Sequence, residues 1–183
     1  MARRNLTSEE IVSEAIKLVR EQGVDGLSMR KLASRLKVQA PTLYYYIPDK
    51  SALLNEILTE LFASCFARIP PCKTWQDWMR AYGAAIWDVQ QEERFAPLLI
   101  LNTQLDEAHF QDTLVRIKSQ LSAFPVDQEK LFFLQSAVQA VVTGWSVFAN
   151  ARYAEKVEQF FDFKDAAMDS VDSLVKSWEP KIH

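Results

Sequence analysis

Hydroxyl, phenol, ammonium and guanidinium groups crowd one short stretch of the chain. Ser28, Arg30, Lys31, Arg35 and Lys37 are followed by Thr42, Tyr44, Tyr45, Tyr46 and Lys50. Their chemistry is hydrogen bonding to an extended anionic surface that carries readable acceptors. A guanidinium such as that of Arg30 is a rigid two-pronged donor that matches the acceptor pair on a guanine edge. Thr42 offers a hydroxyl to phosphate and a methyl to thymine, and a tyrosine phenol donates to phosphate while its ring covers sugar. No catalytic constellation competes: there is no P-loop, no GxSxG, no HExxH, and His109 and His183 are the two histidines, so no enzyme is expected. Cys65 and Cys72 stand apart from any CxxC or histidine cluster, which argues for two reduced thiols, no zinc site and no cofactor.

Charge is distributed in keeping with that chemistry. The chain of 183 residues has a formal net charge of −3, which by itself discourages contact with a polyanion. Positions 1–50, with Arg3, Arg4, Lys17 and Arg20 besides the basic residues above, carry +3, however, and the remaining 133 carry −6. A basic head on an acidic body is expected when one end meets phosphate. No secretory signal follows Arg3 and Arg4, and the most apolar segment, 137–151, is short and broken by Gln139, Thr143, Ser146 and Asn150. The expectation is a cytoplasmic protein without a membrane partner.

The elements that must position these residues are all helices, since glycine is scarce and helix formers dominate. Thr7-Ser-Glu-Glu10 is a capping box that opens a helix over 8–22, which Gly23 ends. Ser28 caps a second helix that turns Leu32, Ala33 and Leu36 inward. Pro41 suits the first turn of a third helix, 41–47, which Pro48 stops. On that helix Leu43 and Ile47 lie four apart and face the core, while Pro41, Thr42, Tyr45 and Tyr46 share the other side; Tyr45 is equally well explained by core packing. The second and third helices form a helix-turn-helix. Asp49 caps a fourth helix carrying Leu53, Leu54, Ile57, Leu58, Leu61 and Phe62, and Pro70-Pro71 breaks the chain after it. Five more helices are read over 75–92, 96–103, 107–122, 127–153 and 163–178. Residues 1–50 are thus expected to form a helix-turn-helix domain and 51–183 a helical regulatory domain.

The run Leu27-Ser-Met-Arg-Lys-Leu-Ala-Ser-Arg-Leu-Lys-Val-Gln-Ala-Pro-Thr-Leu-Tyr-Tyr-Tyr-Ile-Pro-Asp-Lys-Ser-Ala-Leu-Leu54 resembles the DNA-binding head of the TetR family, within a likeness that spans about 7–62. A weaker echo of tetracycline-repressor-like members runs from Trp75-Gln-Asp-Trp-Met-Arg80 to Pro97-Leu-Leu99. The resemblance implies that Arg30, Ala40, Pro41, Thr42, Tyr44, Tyr46 and Lys50 occupy DNA-contacting positions and that Ser28 stands at a phosphate-contacting helix start. Three positions depart from it. Ala40 stands where the tetracycline-repressor branch has glutamine, Tyr46 where it has histidine, and Lys37 where the turn has glycine, so the operator need not be the same.

The body carries Trp75, Trp78, Tyr82, Trp87, Phe95, Trp145 and Phe148 together with the buried-looking polar residues Asn102, Gln104, His109, Gln139 and Thr143. An apolar cavity with a few orienting polar groups suits a small molecule. The candidate ligand contacts are Trp78, Tyr82, Trp87, Asn102, Gln104, His109, Gln139 and Thr143. The resemblance further implies a pocket in the bundle, a ligand-driven swing of the fourth helix, and a homodimer. A palindromic double-stranded DNA operator requires such a two-fold protein. The last two helices, with Ala137, Ala140 and Gly144 small enough for close approach, are expected to make a four-helix interface. The reading is therefore a ligand-responsive repressor. Its rival is a helical small-molecule-binding or carrier protein, which leaves the basic head unexplained.

Overall fold

A computed structural model describes residues 6–104 and 106–182; Arg3, Arg4 and His183 lie outside the described residues. Among the described residues there are ten α-helices, one terminal 3-10 turn and no strand. The head is α1 (Ser8–Gly26), α2 (Met29–Leu36) and α3 (Ala40–Tyr46), and α4 (Lys50–Ala67) leads into the body. There follow α5 (Trp75–Glu92), α6 (Ala96–Asn102), α7 (Glu107–Leu121), α8 (Gln128–Ala149), α9 (Ala154–Val157) and α10 (Phe163–Trp178).

Most of these helices begin on a side-chain cap. Thr7 accepts from the Glu10 amide at 3.2 Å, Ser28 from Lys31 at 3.3 Å, and Asp49 from Ala52 at 2.8 Å. Thr74, Asp106, Asp127 and Asp162 do the same for α5, α7, α8 and α10. Each such cap is worth about 1 kcal/mol.

Several ends differ from expectation. Gly23 breaks the helix with a positive φ of 73° and an extended ψ of 170°, a kink open to glycine, beyond which one further turn carries α1 to Gly26. The expected helix over 127–153 stops at Ala149, where the Asn150 side-chain amide turns back onto the Ser146 carbonyl at 2.8 Å, and the short α9 follows. With 22 residues and a mean hydropathy of 1.4, α8 has the length and composition to cross a bilayer. The apolar stretch is thus not too short, as its 137–151 portion alone implied; α8 packs against α5 and α10 instead.

One apolar core runs through head and body. In the head, Ile11, Ala15 and Leu18 of α1 meet Leu32 of α2, Leu43 of α3 and Leu53 and Ile57 of α4, all fully buried. In the body, Met79 and Ile86 of α5 lie with Leu131, Leu134, Val138 and Val142 of α8 and Ala167, Val171 and Val175 of α10. Gly83 permits this approach, because a Cβ there would sit 3.0 Å from a Val171 methyl. Burying an aliphatic side chain in such a core contributes about 1.5–3 kcal/mol, so α4, which packs against both α1 and α5, is held at both ends.

Candidate nucleic-acid interface and interior polar chain

The head presents α3 outward. This helix buries Leu43, Ile47 is buried just beyond it, and Pro41, Thr42 and Tyr44 are exposed. Tyr45 is 85% exposed, so core packing does not account for it. Tyr46 is half-buried against the core, with its ring edge-on to Tyr45 at 5.3 Å between centroids. Ala40 is half-buried at the start of α3. Ser28 caps α2 with its oxygen, which leaves the hydroxyl hydrogen for an outside acceptor.

The basic residues divide into those already satisfied and those left open. Arg35 pairs with Glu14 at 2.7 Å and with Glu21, and its guanidinium holds both carboxyls below the usual carboxylate range. Lys31 donates to Gln22 at 2.8 Å and to the Gly26 carbonyl at 3.0 Å. Lys50 donates to the Val24 carbonyl at 3.0 Å, which fastens the start of α4 to the end of α1 and leaves two of its three hydrogens free. Arg30 is exposed and has no hydrogen-bond or ion-pair partner among the described residues. Lys37 closes α2 in the left-handed conformation, φ 56° and ψ 41°. Its amide bonds to Ser34 and the Val38 amide to Ala33, a Schellman closure built without glycine. The turn therefore keeps its geometry, and the lysine carries the backbone strain.

Inside the body a polar chain links α5 to α8. The Gln135 amide donates to the Tyr82 hydroxyl at 2.6 Å, which in turn donates to Gln139 Oε1 at 2.6 Å. Gln139 and Gln90 then both donate to Thr143 Oγ1, at 3.1 and 3.0 Å. Burial pushes the Tyr82 phenol above its ordinary range, so it stays neutral. The chain ends unfinished: Gln90 Oε1, on a side chain 2% exposed, has no hydrogen-bond partner, nor do the donors Trp78 Nε1 of α5 and Ser146 Oγ of α8. Trp78, Tyr82 and Phe66 stack on one another at 5.1 and 5.8 Å. A small void bounded by Leu58, Leu61, Phe62, Gln90, Ile100 and Gln139 lies between α4, α5, α6 and α8.

Of the expected ligand contacts, Trp78, Tyr82, Trp87 and Thr143 are buried and Gln139 half-buried, whereas Asn102 and Gln104 are exposed. Those two are not the buried polar groups their neighbours suggested. Helix α6 ends at Asn102, whose side-chain amide turns back to the Leu98 carbonyl at 2.7 Å, and Gln104 lies beyond the helix on the solvent side. Nor does His109 enter the interior. It sits 2.8 Å from both Asp106 carboxylate oxygens and 3.5 Å from Glu56 of α4. Burial opposes its charged form, but the Asp106 hydrogen bond and the charges of Asp106 and Glu56 outweigh this and raise its pKa. Beside it, the Asp106 amide donates to the buried Asn55 of α4 at 3.2 Å. The start of α7 is thus clasped to α4.

Gln90 and Gln135 escaped the sequence reading, because glutamine among polar neighbours such as Gln91-Glu92-Glu93 has the look of a solvated face. Also unforeseen is a bond between head and body, in which the Arg20 guanidinium of α1 grips Glu93 at the end of α5 through two donors.

Comparison with known proteins agrees with this geometry. Residues 11–57 match the family model for bacterial regulatory proteins of the tetR family. The tetracycline repressor protein class E of Escherichia coli is 29% identical over 138 residues, 74% of this chain and 64% of that protein. The class D repressor of Escherichia coli is 32% identical over 112 residues, 60% of this chain and 50% of that protein. The chain thus spans between half and two thirds of these relatives' lengths. Among solved structures, a variant of TetR from Acinetobacter baumannii AYE, in complex with minocycline, superposes with a TM-score of 0.76 at 24% identity, over 96% of this chain and 98% of that one. The motif of the head and the course of the helices agree: residues 11–57 match the tetR family of bacterial regulatory proteins, and the chain has the fold of the solved TetR structures.

Proposed function

We propose that the chain is a sequence-specific DNA-binding transcriptional regulator, a ligand-responsive repressor that holds a palindromic operator as a cytoplasmic homodimer. The observation that carries this reading is α3, a seven-residue helix that buries Leu43 and turns Pro41, Thr42, Tyr44 and Tyr45 to solvent. A helix tied down by a few apolar anchors, with aromatic and hydroxyl groups facing out, fits a major groove. Arg30 reads a base edge in this scheme, while Ser28, Ala40, Pro41, Thr42, Tyr44, Tyr46 and Lys50 set the helix against the backbone. Residues 1–50 serve as the reader and 51–183 as the sensor and pairing domain.

Two further features support the regulatory half. The unfinished polar chain around Gln90, beside the Trp78–Tyr82–Phe66 stack, suits an effector that enters between α4, α5, α6 and α8 and completes those hydrogen bonds. Tetracycline repressors among the relatives, and a structural neighbour bound to minocycline, favour a small-molecule effector over a protein one. The outer face of α8 and α10, with Phe133 and Phe148 exposed and Val141, Trp145, Leu174 and Trp178 half-buried, suits pairing with a second copy.

Titration of labelled duplex DNA with the full chain across salt concentrations tests the reading against the carrier alternative. A regulator's affinity falls steeply between low and moderate salt, in proportion to the phosphates it neutralises. An absence of DNA binding at any salt, with apolar ligand binding retained, would favour the carrier.

A further inference from the structure

We propose that the groove between α1, α4 and the end of α5 is a binding site for an amphipathic organic cation, separate from the interior pocket and independent of the DNA-binding reading. The groove has a volume of about 630 Å³, inside the roughly 300–1,000 Å³ range of small-molecule sites. Val12 and Ile16 of α1, Leu61 of α4 and Val89 of α5 supply apolar lining. Around them stand five carboxylates, Glu9, Glu56, Glu60, Glu92 and Glu93, and three cations, Lys17, Arg20 and Arg68.

The pairing of these charges decides the ligand. Arg20 is taken by Glu93, and Arg68 by Glu92 at 2.6 and 2.8 Å. Lys17 pairs with Glu14, outside the groove, at 3.2 Å. Glu56 faces His109 at 3.5 Å. Glu9 and Glu60 have no cationic partner among the described residues. Both Arg–Glu pairs use adjacent residues at the end of α5 and so mark one end of the groove. Glu9 lies eleven residues back along α1 from Arg20, about 16 Å at 1.5 Å per residue. The site therefore has an apolar lining, one end closed by satisfied ion pairs, and unneutralised carboxylates further along. A ligand with an apolar body and a single ammonium group meets all three. An anion meets unpaired glutamates, and a neutral molecule leaves them as they are. The Thr59 hydroxyl, also in the lining, has no hydrogen-bond partner and offers a further polar contact.

Three probes of matched shape test this on the full chain by isothermal titration: 4-phenylbutylammonium, 4-phenylbutanol and 4-phenylbutanoate. The expected result is saturable binding of the ammonium, at least tenfold tighter than the alcohol, with the carboxylate weakest. The exposed pair Glu9→Gln and Glu60→Gln, made together, should lower the ammonium affinity at least tenfold and leave that of the alcohol unchanged. Substituting the interior Gln90→Leu should leave all three alone. Equal affinity for ammonium and alcohol, no binding of the ammonium, insensitivity to the double glutamate variant, or loss through Gln90→Leu would each overturn the proposal.

Discussion

Lys37 shows how a single residue divides its work between backbone and side chain. It holds the left-handed conformation that closes α2, a backbone that costs a residue with a Cβ about 1–2 kcal/mol. Lys37→Gly should therefore raise stability by about 1 kcal/mol in thermal unfolding. Since the lysine makes no ion pair among the described residues, the substitution breaks no contact, and the larger folding entropy of glycine is the one opposing cost. Tyr82 behaves oppositely. Its hydroxyl serves both Gln135 and Gln139, so Tyr82→Phe leaves the buried Gln135 donor and the half-buried Gln139 acceptor unpaired and should destabilise by about 1–3 kcal/mol. At the exposed face, Arg30→Ala should keep the fold and cost about 1–3 kcal/mol of discrimination at one base pair, read as a relaxed preference at that position of the bound sequence. The residues of the head were legible because their roles are local: caps, a first-turn proline and apolar residues at helical spacing announce themselves in the chain. Gln90 was not, because its burial depends on α8 and α4, which approach it from distant parts of the sequence.

Among the helices, α4 gathers the connections. Lys50 ties its start to α1, Asn55 and Glu56 tie its middle to the first turn of α7, and Arg68 ties its end to α5. The α7 tie titrates. His109 has a raised pKa because its charged form is held between Asp106 and Glu56. Its stabilising contribution is therefore full below its ordinary value of 6.5 and is lost as pH rises through the higher folded value. Denaturant midpoints of the wild type relative to His109→Gln should accordingly converge as pH is raised from about 6 to 8. A constant difference across that window would show that the clasp is not electrostatic. The Arg20–Glu93 bond ties head to body. Because the Arg20 side chain is 56% exposed, its coupling energy in a double-mutant cycle should be small, within about 1 kcal/mol, and should shrink with salt. Helix existence was legible throughout, but ends were less so. The expected helix ran on to 153, whereas the Asn150 side chain competes for the Ser146 carbonyl and ends the ladder at Ala149.

For the molecule as a unit, the proposed function requires two copies. A Cβ built at Gly144 meets nothing within 4 Å, so the single chain tolerates a large side chain there, whereas a partner packed on α8 does not. Gly144→Trp should keep the helical circular dichroism of the wild type, sediment as a monomer at micromolar concentration, and lose operator binding. A dimer that persists in this variant would place the interface elsewhere. The basic head on an acidic body was visible in the sequence, but its arrangement was not. Folding pairs Arg35 and Lys31 with internal partners and leaves Arg30 outward, so the surface charge that the head presents is more selective than the count of basic residues implied. The proposed sequence-specific reading of DNA by a pair of copies is tested by selection with the purified full chain, at moderate salt, from a pool of randomised duplexes followed by sequencing. Enrichment of one palindrome is expected, with half-sites about one helical turn apart and one position that loses its preference in Arg30→Ala. Recovery of the pool without any enriched sequence would contradict the function proposed.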